Sequence, residues 1–197
     1  PIYLLIKMNN NAFNKKIMYI LKDIYKKLLP QLPNLPNDII ILELRDVNNY
    51  HGLTELDYFD WKPSSDKKYR ISEITKATHI KVRFYDNDDK RLPLEMIVAT
   101  FLHEVAHCIS PGIMQRGRDI GKKILHLQNE DYKKNKWMIV YHSSKFYSYF
   151  SKVLRIAEKL NIFILPPSKN KFSPKKLHRF DACDRLNLGK CPCYSLS

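Results

Sequence analysis

Apolar residues recur at helical spacing in three segments of the chain. The clearest segment is residues 12–29, where they fall on one face of a helix: Phe13, Ile17, Ile20, Leu21, Ile24 and Leu28. Residues 143–160 show the same period. Residues 94–109 are apolar around most of the helix and are bounded by Pro93 in front and Gly112 behind. The pattern therefore predicts two amphipathic helices and, between them, one largely buried helix.

Short apolar runs and alternating patterns predict the strands. Residues 39–44 and 79–85 are typical of strands, and the apolar start at residues 1–6 is expected to be a first strand. Residues 46–70 show no clear period and are expected to be irregular. Residues 113–136 are polar and basic, which favours a helical or loop insertion. Together these elements predict an α+β fold in which a small sheet packs beside the helix at 94–109.

The chain length and the distribution of prolines predict one main domain with an appendage. The chain has 197 residues, 44% of them hydrophobic, which suffices for one core. After Pro166-Pro167 the sequence becomes basic and contains cysteines. We therefore expect one domain over residues 1–165 and a basic, Cys-containing tail over residues 166–197.

The buried helix contains the sequence His103-Glu104-Val105-Ala106-His107. Histidines at i and i+4 lie one turn apart on one helix face, so both imidazoles can bind the same ion. A carboxylate between them can reach a water on that ion, which is the arrangement of zinc hydrolases with an H-E-x-x-H motif. The motif predicts a zinc site with Glu104 as general base. The alternative is a chance pattern of two half-buried histidines that bind their protein surroundings.

A catalytic zinc usually has three protein ligands, so a third must come from elsewhere in the chain. The candidates are His126, Glu130, His142 and His178. His142 is favoured because it directly precedes the helix predicted at 143–160, whose packing would fix its position. The surroundings of Glu130 are too polar to bury a ligand. His142 is therefore the predicted third ligand.

These features together resemble the WLM/SprT-like zinc metalloproteases. The resemblance covers roughly residues 78–160 and rests on the strand before the helix, on the H-E-V-A-H motif and on the His-x-x-x-Phe-Tyr pattern that starts at His142. It implies a zincin-like fold, in which a second helix closes a zinc site made by His103, His107 and His142, with Glu104 as general base. It also implies a metallopeptidase activity on protein substrates, since this group includes proteases that digest proteins crosslinked to DNA. The stretch between His107 and His142 is long for the WLM branch, and the SprT branch tolerates more.

Other residues near the motif, and a cluster at the end of the chain, suggest further sites. Tyr141, Tyr147 and Arg83 are candidates for stabilising the oxyanion of such a reaction. A cluster at the C-terminus offers a possible second, structural zinc site: His178, Cys183, Cys191 and Cys193. Because its C-x-C spacing departs from the usual C-x-x-C, a disulfide and free thiols remain alternatives.

The charge of the chain favours an acidic partner. The net charge is +14 and the isoelectric point about 9.6, which suggests nucleic acid such as DNA first and an anionic membrane surface second, although a lysine-rich composition alone gives the same charge. No apolar run approaches the roughly 20 residues that span a bilayer, and the first residues lack an export signal. We therefore expect an intracellular protein, cytoplasmic or nuclear, with a large DNA virus as one candidate source. The alternatives to an enzyme are a DNA-binding protein and a virion or scaffold protein, each with a structural zinc site.

Overall fold

The computed structural model describes residues 9–45, 51–65, 67–116 and 137–162. Within them the chain runs from one helix through five strands to a second helix, and then through two strands to a third helix, which confirms the predicted α+β class. The elements in chain order are α1 (Asn10–Leu28), β1 (Ile40–Glu43), β2 (Gly52–Phe59), β3 (Lys62–Pro63), β4 (Tyr69–Ser72), β5 (Ile74–Val82), α2 (Leu94–Ile109), β6 (Gly112–Arg116), β7 (Trp137–Ile139) and α3 (Ser144–Lys159).

The first sheet has β5 at its centre, with β1 parallel on one side and β2 antiparallel on the other. One extra residue in β5, Thr78, interrupts its pairing with β2 between Glu55 and Leu56. A bulge of this kind changes which side chains face the core. Here it lets both Ala77 and Ile80 point toward the helices, where they are 6% and 0% exposed.

The second sheet has the order β3-β4-β6-β7, and every neighbouring pair in it is antiparallel. Glu73 is the single residue between β4 and β5, so the two sheets share a nearly continuous stretch of chain. Strand β6 follows directly after α2, and β7 leads to the start of α3. The pairing of β6 with β7 therefore brings the end of α2 close to the start of α3.

Helix α1 begins and ends close to its predicted bounds. The Asn9 side chain accepts a hydrogen bond from the amide of Ala12 at 2.9 Å, which caps the first turn. The apolar face predicted from the sequence is buried except at Ile20, which is partly buried, and Tyr25 packs its ring edge-on against Phe101 of α2 at 6.4 Å. No helix in the described part of the chain is long and apolar enough to cross a membrane.

Helices α2 and α3 form the layer that holds the histidines. Helix α2 is buried along most of its length and packs on β5, β2 and α3. Helix α3 starts at its predicted position, because the Ser143 side chain accepts a hydrogen bond from the amide of Phe146 at 3.2 Å. Its buried face packs against α2 through Phe146, Phe150, Val153 and Ala157.

Two predictions about the regions between the helices are wrong. Residues 46–70 were expected to be irregular, but they contain β2, β3 and the start of β4. The side chains of β2 are partly exposed on both faces of the sheet, so the hydrophobic alternation that signals a strand is weak. Residues 113–116 likewise belong to strand β6 rather than to an insertion. The predicted strand at 1–6, residues 117–136 and the tail at 166–197 lie outside the described residues.

Candidate metal centre

Three histidine side chains converge on one point between α2 and α3. The Nε2 atom of His103 lies 3.2 Å from that of His107, and the Nε2 atom of His142 lies 3.0 Å and 3.2 Å from these two. His103 and His107 are only 2% and 7% exposed, and His142 is half-buried. The three predicted ligands are thus brought together, at a spacing that could hold one metal ion.

The spacing of these nitrogens fits a small transition-metal ion. Zinc binds imidazole nitrogen at about 2.0–2.1 Å in tetrahedral geometry, which separates neighbouring ligand atoms by about 3.3 Å. The observed separations of 3.0–3.2 Å are close to that value. Imidazole nitrogen is also a donor that zinc, copper, iron and nickel accept. Both the distances and the donor type therefore fit a metal centre.

The position of His142 depends on the second sheet as well as on α3. Strand β7 pairs with β6, and just beyond it the amide of Val140 donates to the carbonyl of Ile113 at 2.7 Å. Two residues later comes His142, followed at once by the Ser143 cap of α3. The ligand is therefore fixed from both sides in sequence, by the strand pairing before it and by the helix cap after it.

Aromatic rings of α3 form the wall behind the histidines. The ring of Phe146 stacks on His107 at a centroid distance of 4.2 Å and lies 4.9 Å from both His103 and His142. Phe150 contacts His103 at 5.2 Å. Phe146 is fully buried. This packing restricts the rotation of all three imidazoles.

The carboxylate of Glu104 lies against strand β2. The side chain is 4% exposed, and its Oε2 atom accepts a hydrogen bond from the Thr54 hydroxyl at 2.7 Å. The same hydroxyl lies 3.1 Å from the carbonyl oxygen of Glu104. Gly52 makes this close approach possible, because a Cβ atom at position 52 would lie 2.6 Å from Oε1 of Glu104. The predicted general base is therefore held by β2, a strand in a region that the sequence predicts to be irregular.

A cavity of about 310 Å³ borders the three histidines and Glu104. This volume is at the small end of the range for ligand sites, which is roughly 300–1,000 Å³. One wall comes from β2 and the residue before it, and the other from the segment that ends at His142. The residues that form these two walls are His51, Gly52, Leu53, Thr54, Leu56 and Tyr141.

Of the three residues proposed to stabilise an oxyanion, Tyr141 lines this cavity and is 46% exposed. Tyr147 instead stacks on His142, at a centroid distance of 6.3 Å. For Arg83 the prediction is wrong: its guanidinium donates to the Asn87 side chain at 2.7 Å and lines a different cavity. Arg83 directly follows β5, and although its amide donates to the carbonyl of His51 at 2.8 Å, its side chain lies at the other cavity.

Cys108 follows the motif on α2 and is 1% exposed. Its thiol donates to the carbonyl of Glu104 at 3.4 Å. Burial, with a further contribution from the Glu104 carboxylate, raises the pKa of this thiol well above its usual range. Cys108 therefore stays protonated and acts as a packing residue of the helix.

Some sequence candidates lie outside the described residues. These are His126, Glu130 and His178 among the alternative ligands, and Cys183, Cys191 and Cys193 of the second metal site. Conversely, His51, Gly52 and Thr54 line the site and were not singled out. The sequence Gly52-Leu53-Thr54-Glu55-Leu56 carries the signal that could have indicated these residues, because a glycine within a strand marks a close backbone approach.

Comparison with family models, with curated proteins and with solved structures finds no match for this chain. The resemblance to the WLM/SprT-like proteases therefore rests only on the strand before α2, the H-E-V-A-H motif and the His-x-x-x-Phe-Tyr pattern.

Proposed function

We propose that this protein is a zinc-dependent metallopeptidase with a zincin-like arrangement, which hydrolyses protein substrates. In this proposal His103, His107 and His142 bind the zinc ion and Glu104 is the general base. The observation that carries it is the convergence of three imidazole nitrogens, 3.0–3.2 Å apart, on α2 and at the start of α3, beside an open cavity.

Zinc, when bound, supplies a Lewis acid that polarises a carbonyl group and makes water acidic enough to lose a proton near neutral pH. Glu104 lines the same cavity as the three histidines, so its carboxylate can accept that proton and pass it to the leaving amine. A general base of this kind contributes roughly 10²–10⁴-fold to a rate. Tyr141 lines the same cavity and, in this proposal, its hydroxyl donates a hydrogen bond to the substrate.

The shape of the cavity supports a peptide substrate rather than a large rigid ligand. Leu53 and Leu56 of β2 and the ring of Tyr141 form apolar walls beside the histidines. A volume of about 310 Å³ accommodates one or two side chains. We therefore expect cleavage next to an apolar side chain in an unfolded or extended segment of a protein.

A purely structural zinc site is the main alternative. Structural zinc sites are usually closed by four protein ligands, commonly with several cysteines. Here the described ligands are three histidines, and the motif glutamate faces the same cavity without being one of them. This arrangement favours the enzyme over a DNA-binding or scaffold protein in which zinc only stabilises the fold.

The experiment that tests the proposal is metal removal and restoration. The purified protein is treated with a chelator and assayed on an unfolded protein such as casein, before and after one equivalent of zinc is added. We expect hydrolysis to disappear with the metal and to return with it. Zinc binding without any hydrolysis would instead support the structural role.

We further propose that the substrates include proteins bound or crosslinked to DNA. The net charge of +14 supports this part of the proposal. In the described region α1 presents a row of exposed lysines to solvent, which includes Lys15, Lys22 and Lys26. These side chains could contact phosphates of DNA while a protein segment occupies the cavity.

A further inference from the structure

We propose that Thr54 is a positioning residue for Glu104, and that Gly52 is the residue that leaves space for this contact. The Thr54 hydroxyl fixes one oxygen of the Glu104 carboxylate, and the bare backbone at Gly52 makes room for the other. This inference rests on the proposed function, because it assigns a role relative to the general base.

The first support is the geometry of the Thr54 hydroxyl. It has a single proton and two acceptors within reach: Oε2 of Glu104 at 2.7 Å and the carbonyl oxygen of the same residue at 3.1 Å. The bond to the carboxylate is the shorter one, and hydrogen bonds to a charged acceptor are roughly twice as strong as neutral ones. Thr54 therefore donates mainly to the carboxylate and restrains its orientation.

The second support is the space around the other carboxylate oxygen. A Cβ atom at position 52 would lie 2.6 Å from Oε1 and 2.8 Å from Cγ of Glu104, and 2.7 Å from the methyl group of Thr100. Each of these distances is shorter than a van der Waals contact allows. Any side chain at position 52 would therefore displace the carboxylate or separate β2 from α2.

The third support is that the contacts of Gly52 and Thr54 connect strand β2 to α2, the helix that carries the motif. Gly52 and Thr54 alternate along β2 and so point to the same face of the sheet, toward α2. The pairing of β2 with the central strand β5 fixes this face in space. A carboxylate on a helix could adopt several rotamers, and the neighbouring strand selects one of them.

The chain offers a matched control for each residue. Thr75 also ties a strand to the end of α2, since its hydroxyl donates to the carbonyl of Ser110 at 3.2 Å, away from the carboxylate. Gly112 is equally crowded, but a Cβ atom there would meet Tyr58 and Trp61 rather than Glu104. Both controls carry the structural cost of the substitution without touching the base.

The experiment compares Thr54→Val, Thr54→Ser and Thr75→Val, each loaded with zinc. We expect Thr54→Val to lower kcat by about 10–100-fold, as is typical when a partner of a site residue is removed. Zinc content should stay at the wild-type level, because the ligands do not change, and KM should stay close to it, because valine keeps the size of the Thr54 side chain in the cavity wall. Thr54→Ser should restore kcat to within about threefold of wild type, and Thr75→Val should leave it unchanged.

Gly52→Ala tests the space around the carboxylate. It should also lower kcat while zinc is retained, whereas Gly112→Ala should affect stability but not the ratio of kcat to bound zinc. A kcat of Thr54→Val within about twofold of wild type would overturn the role of Thr54, as would failure of Thr54→Ser to restore it.

A readout besides activity separates this inference from the proposed function. Crystal structures of the zinc-loaded wild type and of Thr54→Val show directly where the Glu104 carboxylate points. We expect it to turn away from its wild-type position in Thr54→Val, with the three histidines unmoved. An unchanged carboxylate overturns the inference. If the wild type binds zinc but hydrolyses nothing, the peptidase proposal fails, and the crystallographic comparison still decides the role of Thr54.

Discussion

The candidate site has a helical wall, formed by α2 and the start of α3, and a strand wall, formed by β2. These two walls differ in how their residues come together. The helical wall brings together His103 and His107 from one turn of α2 and His142, which directly precedes the Ser143 cap of α3. The strand wall brings Gly52 and Thr54 against Glu104 from 50 residues away in the chain. The first wall is specified by local spacing and capping, and the second by the pairing of β2 in the sheet.

This difference separates two properties of the site. The helical wall supplies three imidazoles that could hold one metal ion, and Phe146 packs on all of them. The strand wall supplies the groups that contact the Glu104 carboxylate and border the cavity. We therefore expect substitutions in the helical wall to change metal binding and substitutions in the strand wall to change turnover.

The largest expected effect on hydrolysis is that of substituting Glu104, which lies on α2 and contacts β2. Glu104→Gln keeps the shape of the side chain but removes its ability to accept a proton, so hydrolysis should fall by about 10²–10⁴-fold. Zinc content and Tm should stay close to the wild-type values, since Glu104 is not one of the converging ligands. Rates on casein and metal analysis of the same preparation test this. Glu95→Gln, an exposed glutamate in the first turn of the same helix, is the control.

Hydrolysis by Glu104→Gln at the wild-type rate would contradict the assignment of the general base. The strand wall would then lose its assigned function, because Thr54 and Gly52 act through this carboxylate.

The second effect concerns the helical wall. Phe146→Ala and Phe150→Ala remove fully or nearly fully buried rings one turn apart, so each should lower the free energy of unfolding by about 3–5 kcal/mol. Phe146 contacts all three histidines, whereas the contact described for Phe150 is with His103. Zinc affinity should therefore fall by about 10–100-fold in Phe146→Ala and by clearly less in Phe150→Ala.

Denaturant unfolding and a competition titration of zinc measure the two quantities separately. Equal losses of zinc affinity in both variants would show that α3 acts on the site only through overall stability.

The same difference explains how much the sequence could predict. The bounds of α1, α2 and α3 follow from helical periodicity and from side chains such as Ser143, and the three converging histidines follow from i,i+4 spacing and a helix start. Strand β2 was not predicted, because its residues are partly exposed on both faces and so lack a clear alternation. The contact between Thr54 and Glu104 depends on strand pairing, which no local pattern encodes.

Arg83 shows the same limit of local sequence patterns. It falls in the strand predicted at 79–85, but the observed strand β5 is Ile74–Val82, and the Arg83 side chain lines a different cavity from the one at the metal centre. Periodicity therefore indicated a strand in this region but not its end, and not which side chains lie beside the site.

The smallest expected effect lies outside both walls. Replacing the exposed lysines Lys15, Lys22 and Lys26 of α1 with Gln should leave hydrolysis of a free peptide unchanged. If each contacts a phosphate, DNA affinity should fall and the salt dependence of log K should become shallower by about 0.9 per lysine. Lys145, Lys152 and Lys159 on α3 provide a control set of equal charge.

A salt titration with single- and double-stranded DNA measures this effect, together with cleavage of a DNA-bound protein. Wild-type binding weaker than roughly 10⁻⁴ M at physiological salt would mean that the positive charge reflects composition alone.

The central claim is that His103, His107 and His142 together bind one metal ion, and zinc stoichiometry tests it most directly. Metal analysis and competition titration are carried out on the wild type, on His142→Ala and on His79→Ala, whose imidazole pairs with Glu55 on the sheet away from the cluster. We predict one zinc per chain in the wild type and in His79→Ala, and a more than 100-fold loss of affinity in His142→Ala, a larger loss than removal of an outer partner causes. Unchanged zinc content and affinity in His142→Ala would contradict the claim and would direct the search for the third ligand to His126 or Glu130.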